Sequence, residues 1–448
     1  MGFSRLRRKI VLEDAEDRIS SLPDSIICHI FSFLPTKDAV RSSVLSTRWK
    51  YLFVSSPNLD FDDLSFLGVA SRPRFVNFIY RLLALRGSSH VNRFRLRCYV
   101  NHDDPHVNTW ISAAVRRNVQ ELEIELHIMC HTRGSNLRLL PYDLLICKTL
   151  VVLKLDVACD LNVPSDVSFP RLKTLHLQSL YVEYDSFKKI VFGCPVLEDL
   201  LTCDCRFKQS VQVFDISVPT LKRLTLGLQY LPFAQFHDTH VVVDAPYLQC
   251  LRYEDNIVKK GHTLKGLTSL VEAHISINLS MEQNRESIFY GPSVAKLFEA
   301  ISKVQSLHFA GYSTWVIQVT QPCLPTFSNL THLEVVSDDV ISLELLAELL
   351  RRSPNLEVLV VGQVYKDGEG SMNFPIRIGN LSSHLKEVEL QEFTGDEDEL
   401  ELVEYLLDSA EILEKMKIVI LSSRDRLPIA QKLLKLPRRS RTCRLFVT

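Results

Sequence analysis

The apolar frame Leu-x-x-Leu-x-Leu, with Val, Ile, Phe, Tyr, Met or Ala admitted at some positions, starts thirteen times between Val91 and Leu413. The first copies begin at Val91 and Val119. Good ones follow at Leu150, Leu172, Leu221, Leu330 and Leu356, and imperfect ones at Leu197, Leu248, Leu270, Val304, Leu385 and Leu413. Successive starts lie 22 to 34 residues apart. A strand turns alternate side chains to opposite faces. The fourth and sixth frame positions therefore point together into a core, and the third and fifth point out. A unit this short cannot cover its own apolar edge and must stack on its neighbours.

Most of the spacing falls in or near the period of leucine-rich repeats, which this segment resembles. The ninth frame position, usually Asn or Cys in such repeats, holds Cys205, Asn256 and Asn278, with Asp338 as a variant. Pro170, Pro195, Pro219, Pro246 and Pro354 each stand two residues before a frame, where no ladder hydrogen bond is lost. Tyr184 to Val191, Val294 to Ile301 and Leu343 to Leu350 read as short helices on the opposite side. The expected fold class is α/β: an N-terminal helical unit, then an irregular solenoid with a parallel sheet on its concave side and helices and loops on its convex side. The alternative is an ordinary α/β domain with a parallel sheet.

Composition narrows the function classes. The chain has 448 residues, more than one ordinary core holds, and is 46% hydrophobic, so it is not generally disordered. A formal charge of −1 gives no global pull toward nucleic acid or acidic lipid. The 11 cysteines are odd in number and scattered, unlike a secreted disulfide framework. The N-terminus lacks an apolar signal core, and no apolar run reaches the roughly 18 residues of a spanning helix. The expectation is a reduced, soluble, intracellular protein of nucleus or cytoplasm, without cofactor, membrane or nucleic-acid partner.

Residues 1–16 carry Arg5, Arg7, Arg8 and Lys9 and read as a solvated tail, or as a nuclear-import or anion-binding patch. Order begins at Leu22-Pro23-Asp24, where proline and aspartate suit a helix start. Ile26, Ile27, Ile30, Phe31 and Leu34 then form a wide apolar face, and Pro35 stops the helix. Thr36 is expected to cap a second helix, Lys37 to Val44, and Ser46 a third bearing Trp49, Leu52 and Phe53. So few residues cannot bury so much apolar surface alone. Either the helices cap the following domain, or part of the face docks elsewhere. The run from Ile19 to about Leu52, with its two Leu-Pro pairs and Val44-Leu45-Ser46-x-Arg48-Trp49, closely resembles the F-box. That resemblance implies docking on a Skp-type adaptor that bridges to a cullin ligase. Leu22, Pro23, Ile26, Ile30, Leu34, Pro35, Val44, Leu45 and Trp49 are the residues expected to form the docking face and its support.

From about Asn373 the chain resembles the FBD module of plant F-box proteins, through Leu385-Lys386-Glu387-Val388, Phe393, Gly395, Leu406-Leu407, Ala410, Leu413-Glu414-Lys415-Met416 and Arg441-Thr442-Cys443. Physically this region reads as two terminal repeats and a closing strand, Arg444 to Val447, that caps an open end. The expected organisation is a flexible tail over 1–16, the F-box over 17–55, repeats over 56–372, and the FBD-like end over 373–448.

Cys194, Cys203 and Cys205 lie close together, but a lone C-x-C is a weak metal signal. Asp396 to Glu399 reads as an acid-rich first helical turn. No phosphate loop, dinucleotide fingerprint or zinc-protease motif occurs, and Cys250 reads as a simple outward thiol. The expectation is a non-catalytic receptor that selects an unknown protein for ubiquitin transfer. The alternatives are an interaction scaffold outside ubiquitination and an enzyme with a cryptic cysteine nucleophile. The outward frame positions include Lys154, His176, Arg223, Arg252, His274 and His308, the candidate target-binding residues. They give a mildly basic centre between ends that read as acidic, Glu121 and Glu123 at one and Glu387 and Glu389 at the other.

Overall fold

The computed structural model describes residues 19, 21–46, 48–66, 71–87, 89–100, 105–128, 140–161, 163–209, 211–228, 239–255, 258–279, 281–336, 341–365, 384–421 and 426–448. The basic tail, Asn256, Asp338 and residues 373–383 of the FBD-like segment lie outside these. The chain forms two compact units, 1–131 and 132–448.

The first unit opens with helices Asp24–Phe31 and Thr36–Arg41, a single 3-10 turn at Ser42–Val44 and a 3-10 helix at Trp49–Ser55. Three parallel strands follow, Asn58–Asp62, Arg93–Val100 and Glu121–Ile128, with helices Ser71–Leu85 and His106–Val115 between them. The strand at Asn58–Asp62 is a repeat that the apolar frame misses. Its inward Leu59 and Phe61 pair with Phe94 and Leu96, but Ser56, itself buried, stands where the frame wants an apolar residue. Asp60, Asp62, Arg93, Arg95, Arg97, Glu123 and Glu125 form an acid–base–acid ladder on the outward side. Arg95 Nε lies 3.0 Å from Glu123, and Arg97 Nε lies 2.7 Å from Glu125.

The second unit holds twelve parallel strands in sequence order, from Val152–Val157 to Arg444–Val447. The backbone shows why the frame works. Lys173, Glu198, Lys222, Gln249, Val271, Gln305, Thr331, Glu357, Lys386 and Glu414 all occupy the second frame position. Each donates its N–H to the matching carbonyl one repeat earlier, at 2.8–2.9 Å. Each strand thus starts from a fixed register, and the fourth and sixth frame positions come into line. Leu153 and Leu155, Leu175 and Leu177, Leu224 and Leu226, and Leu333 and Val335 are all buried. The five prolines that precede frames all lie in turns just before the strands.

The helices expected on the other side form at Tyr184–Phe192, Gly291–Ala300 and Leu343–Arg351. Two stretches differ. Val213–Ser217, His240–Asp244 and Gly261–Lys265 make a second parallel ladder, and Asp160–Leu161, Tyr181–Val182 and Arg206–Phe207 make a third. Runs such as His240-Val241-Val242-Val243 are β-branched and lack helical periodicity, so strands win over helices there. At Gly261 a Cβ would sit 2.4 Å from the His240 ring, so any larger residue there must displace that ring.

The C-terminal region forms strands Glu387–Phe393 and Lys415–Ile420, helix Glu397–Ser409 and the closing strand Arg444–Val447, all strands parallel and paired in order. The acidic run starts that helix, as its sequence suggests. Glu399 is buried and its Oε2 accepts from Thr394 N at 2.7 Å, Gly395 N at 2.8 Å and Thr394 Oγ1 at 2.8 Å. One carboxylate therefore satisfies two backbone donors at the turn into the helix.

A polar network lies within the second unit's core. Lys259 Nζ donates to Asp255 Oδ1 at 3.0 Å, and Tyr253 Oη donates to Asp255 Oδ2 at 3.1 Å. His262 Nε2 lies 3.0 Å from Tyr253 Oη, and its Nδ1 lies 3.0 Å from Ser293 Oγ. Burial pushes the His262 pKa down to about 4, with Lys259 and His240 adding to the shift against the Ser293 hydrogen bond. Unfolded, the ring titrates near 6.5. Between these values the unfolded chain takes a proton that the folded chain refuses. The stability from neutral burial is thus full above about pH 6.5 and falls as pH drops toward 4, by up to ~1.4 kcal/mol per pH unit. His262→Gln should flatten that acid-side slope in denaturant titrations at stepped pH. Parallel slopes in the two proteins would rule this out.

Candidate interaction surfaces

The N-terminal helices divide their apolar residues between two faces. Ile27 and Phe31 are buried, with the Phe31 ring edge-on to Trp49 at 5.7 Å, and Phe53 joins them in the interior. Ile26 and Ile30, one turn apart, remain 45% and 41% exposed, while Val44 and Leu45 reach 86% and 73%. Leu34 is exposed as well, together with Pro23 and Pro35, and Leu22 is half-buried. Trp49 is the exception among the nine expected docking residues. It is buried and supports the face from within. Phe33, 75% exposed in the turn after the first helix, is absent from the expected docking set. The signal was present: Phe33 follows Ile26 and Ile30 at i+7 and i+3, on the same helical stripe.

Polar contacts fix this arrangement. Arg48 donates from Nε to Asp24 Oδ1 at 2.8 Å and from Nη2 to the Leu22 carbonyl at 2.7 Å, tying the entry of the first helix to the end of the motif. Asn58 Nδ2 donates to the Ser32 carbonyl at 3.0 Å. Thr36 does not cap the second helix. Pro35 takes that place, and Thr36 Oγ1 instead accepts from the Asp60 N–H at 2.7 Å, joining helix to strand. The second helix ends at Arg41 rather than Val44, and Ser46 Oγ accepts only from the Arg48 N–H, at 3.3 Å, ahead of a 3-10 rather than an α-helix. The helices therefore do pack on the following strand, yet this leaves their outer apolar face in solvent.

The outward side of the strands is the second surface. Lys154, His176, His274 and His308 are half-buried there, and Arg223 and Arg252 are exposed. Arg223 donates from Nε and Nη2 to Asp199 Oδ2 at 3.1 and 3.0 Å, while His176 Nε2 lies 3.5 Å from Asp199 Oδ1. Burial alone would raise the Asp199 pKa, but these hydrogen bonds outweigh it and hold the carboxyl below its usual range. The His274 and His308 rings stack at 4.1 Å. The acidic ends expected for the stripe need correction. Glu387 and Glu389 pair with Lys415 and Lys417 at 3.0 Å each, and Arg93 and Arg95 pair with Glu121 and Glu123. Those cations stand on flanking strands that the stripe, counted from Glu121 to Glu389, leaves out.

The described cysteines form no disulfide. Cys194 and Cys205 are buried and donate to the Ile190 and Leu177 carbonyls, at 3.2 and 3.3 Å. Burial pushes their pKa values up to about 12 and about 11. Cys205, at a ninth frame position, thus satisfies a carbonyl of the preceding repeat's strand. Cys250 is half-buried beside Glu272, not the simple exposed thiol that its outward position suggested. Among the described residues, no helix is long and apolar enough to cross a membrane.

Parallel strands in one-repeat steps behind a short helical unit with an uncovered apolar face define a leucine-rich-repeat protein with an N-terminal F-box. Comparison with known proteins agrees along the chain. Residues 19–61 match the F-box domain, 107–274 match the family described as "FBD-associated F-box protein At5g56370, LRR repeats", and 378–418 match FBD. F-box/LRR-repeat protein At4g14096 of Arabidopsis thaliana is 34% identical over 425 residues, covering 90% of this chain and 88% of the relative. F-box/LRR-repeat protein At3g59200 of the same plant is 32% identical over 463 residues, 95% of this chain and 86% of the relative. The chain belongs to the F-box/LRR-repeat family.

Proposed function

We propose that the chain is the substrate-recognition subunit of a Skp–cullin–F-box ubiquitin ligase, acting inside the cell. Residues 17–55 dock on a Skp-type adaptor, the repeats of 56–372 select a target protein, and the segment 373–448 closes the array. In this reading the chain brings two proteins together and carries no catalytic centre. One observation supports it above the others: Ile26, Ile30, Phe33, Leu34, Val44 and Leu45 stay exposed although the helices already have a core of Ile27, Phe31, Trp49 and Phe53. Exposed apolar clusters of this kind mark interaction sites on soluble proteins. Anchors in such a face typically lose at least ~2 kcal/mol on truncation, more than about 20-fold in affinity. Leu22 and Pro23 replaced together by alanine, and separately Val44→Asp, should each break co-purification with the adaptor. Val44 is 86% exposed, so its replacement should leave thermal unfolding unchanged. Undiminished binding by folded Val44→Asp protein would refute this docking face.

For the target, the outward strand residues are the proposed contact, centred on Arg223 and Arg252 with Lys154, His176, His274 and His308 around them. A segment bearing acidic groups suits arginines that can hydrogen-bond in pairs. Reversal of Arg223 and Arg252 to glutamate should abolish capture of proteins that accumulate when the proteasome is inhibited, and leave adaptor binding intact. Any residual capture should be less salt-sensitive, since exposed pairs are screened over about 10 Å at 0.1 M salt. Unchanged capture would move the contact to the loops or the other side of the strands.

A further inference from the structure

We propose that Cys250, Glu272 and His274 form a zinc site, with water as the fourth ligand, on the outward side of two neighbouring repeat strands. The Cys250 thiol, a Glu272 carboxylate oxygen and a His274 ring nitrogen all lie within 4.8 Å of one another. Strand register produces the cluster. Cys250 stands opposite Glu272 on the neighbouring strands Cys250–Asp255 and Glu272–Ile277, and His274 follows Glu272 by two residues on the same side. Neighbouring ligands around tetrahedral zinc lie roughly 3.3–3.8 Å apart, given bonds of about 2.0 Å to nitrogen or oxygen and 2.3 Å to sulfur. The His274–Glu272 contact, at 2.5 Å, would open as both turn toward the ion.

Thiol, imidazole and carboxylate together favour zinc over calcium or magnesium, which take oxygen ligands. Zinc binding must release the Cys250 thiol proton to solvent. The resulting thiolate and the Glu272 carboxylate balance the two positive charges of the ion.

Zinc here would cross-tie two repeats, independently of whether this side binds a target. The test uses the full chain, equilibrated with zinc, gel-filtered and measured by inductively coupled plasma mass spectrometry. About one zinc per chain is expected in the wild type, with loss in Cys250→Ser and in His274→Ala. Cobalt-loaded wild-type protein should show a thiolate-to-cobalt absorption band that Cys250→Ser lacks. A wild type that retains no zinc, retention unchanged by both ligand replacements, or cobalt protein without a thiolate band would overturn the proposal. A wild type that retains no zinc overturns the proposal even if a variant fails to fold.

Discussion

The backbone hydrogen bond at the second frame position governs both faces of the sheet. Its carbonyl at Val151 accepts from Lys173, the Lys173 carbonyl accepts from Glu198, and the chain of donors continues to Glu414 and then Arg444. The residue types at these positions are unrelated, as backbone pairing allows. They share a register. Once one strand is anchored there, its fourth and sixth frame positions must join the neighbour's core, and a slip of one residue would turn every leucine to solvent. The repeat length can therefore vary widely while the ladder holds, because extra residues go into the stretch opposite the strands.

The same alternation accounts for the polar side. Outward positions are released from packing and are free to carry charge, so cross-strand pairs accumulate: Arg223 with Asp199, His308 with Glu334, Lys415 with Glu387. Exposed pairs of this kind contribute little to stability. Their consequence is chemical. They bring onto one surface side chains that are distant in sequence, as with Cys250 and His308. The N-terminal helices obey a different rule. Their interior is filled by Ile27, Phe31, Trp49 and Phe53, and the rest of their apolar surface is left exposed by the described residues of the first unit.

How much of this was legible in the sequence depends on whether one residue or a relation between residues carried the signal. The strands were legible because Leu, Val and Phe at frame positions are individually required, and all thirteen frames fall on ladder strands. The strand at Asn58–Asp62 was missed because Ser56 breaks the frame while keeping its place. The extra strands at Val213–Ser217, His240–Asp244 and Gly261–Lys265 were missed because they depend on pairing between repeats rather than on an internal period. On the N-terminal helices the stripe at Ile26 and Ile30 was readable, and Phe33 continues it at the same spacing, whereas the burial of Trp49 arises from packing. Thr36 was misread as a cap because its hydroxyl has a strand partner, Asp60, that lies 24 residues away. The polarity of the outward stripe was misjudged for the same reason, since its cations stand on neighbouring strands.

The most direct test of the ladder compares two adjacent positions on one central strand, Leu224 and Thr225, by urea denaturation of the full chain. Leu224 is 1% exposed and points inward, while Thr225 points out. Leu224→Ala should cost about 2–5 kcal/mol. Thr225→Ala should stay within about 0.5 kcal/mol of the parent. Equal costs at the two positions, or a larger cost at Thr225, would contradict the alternation on which the fold, the outward surface and the proposed sites all rest.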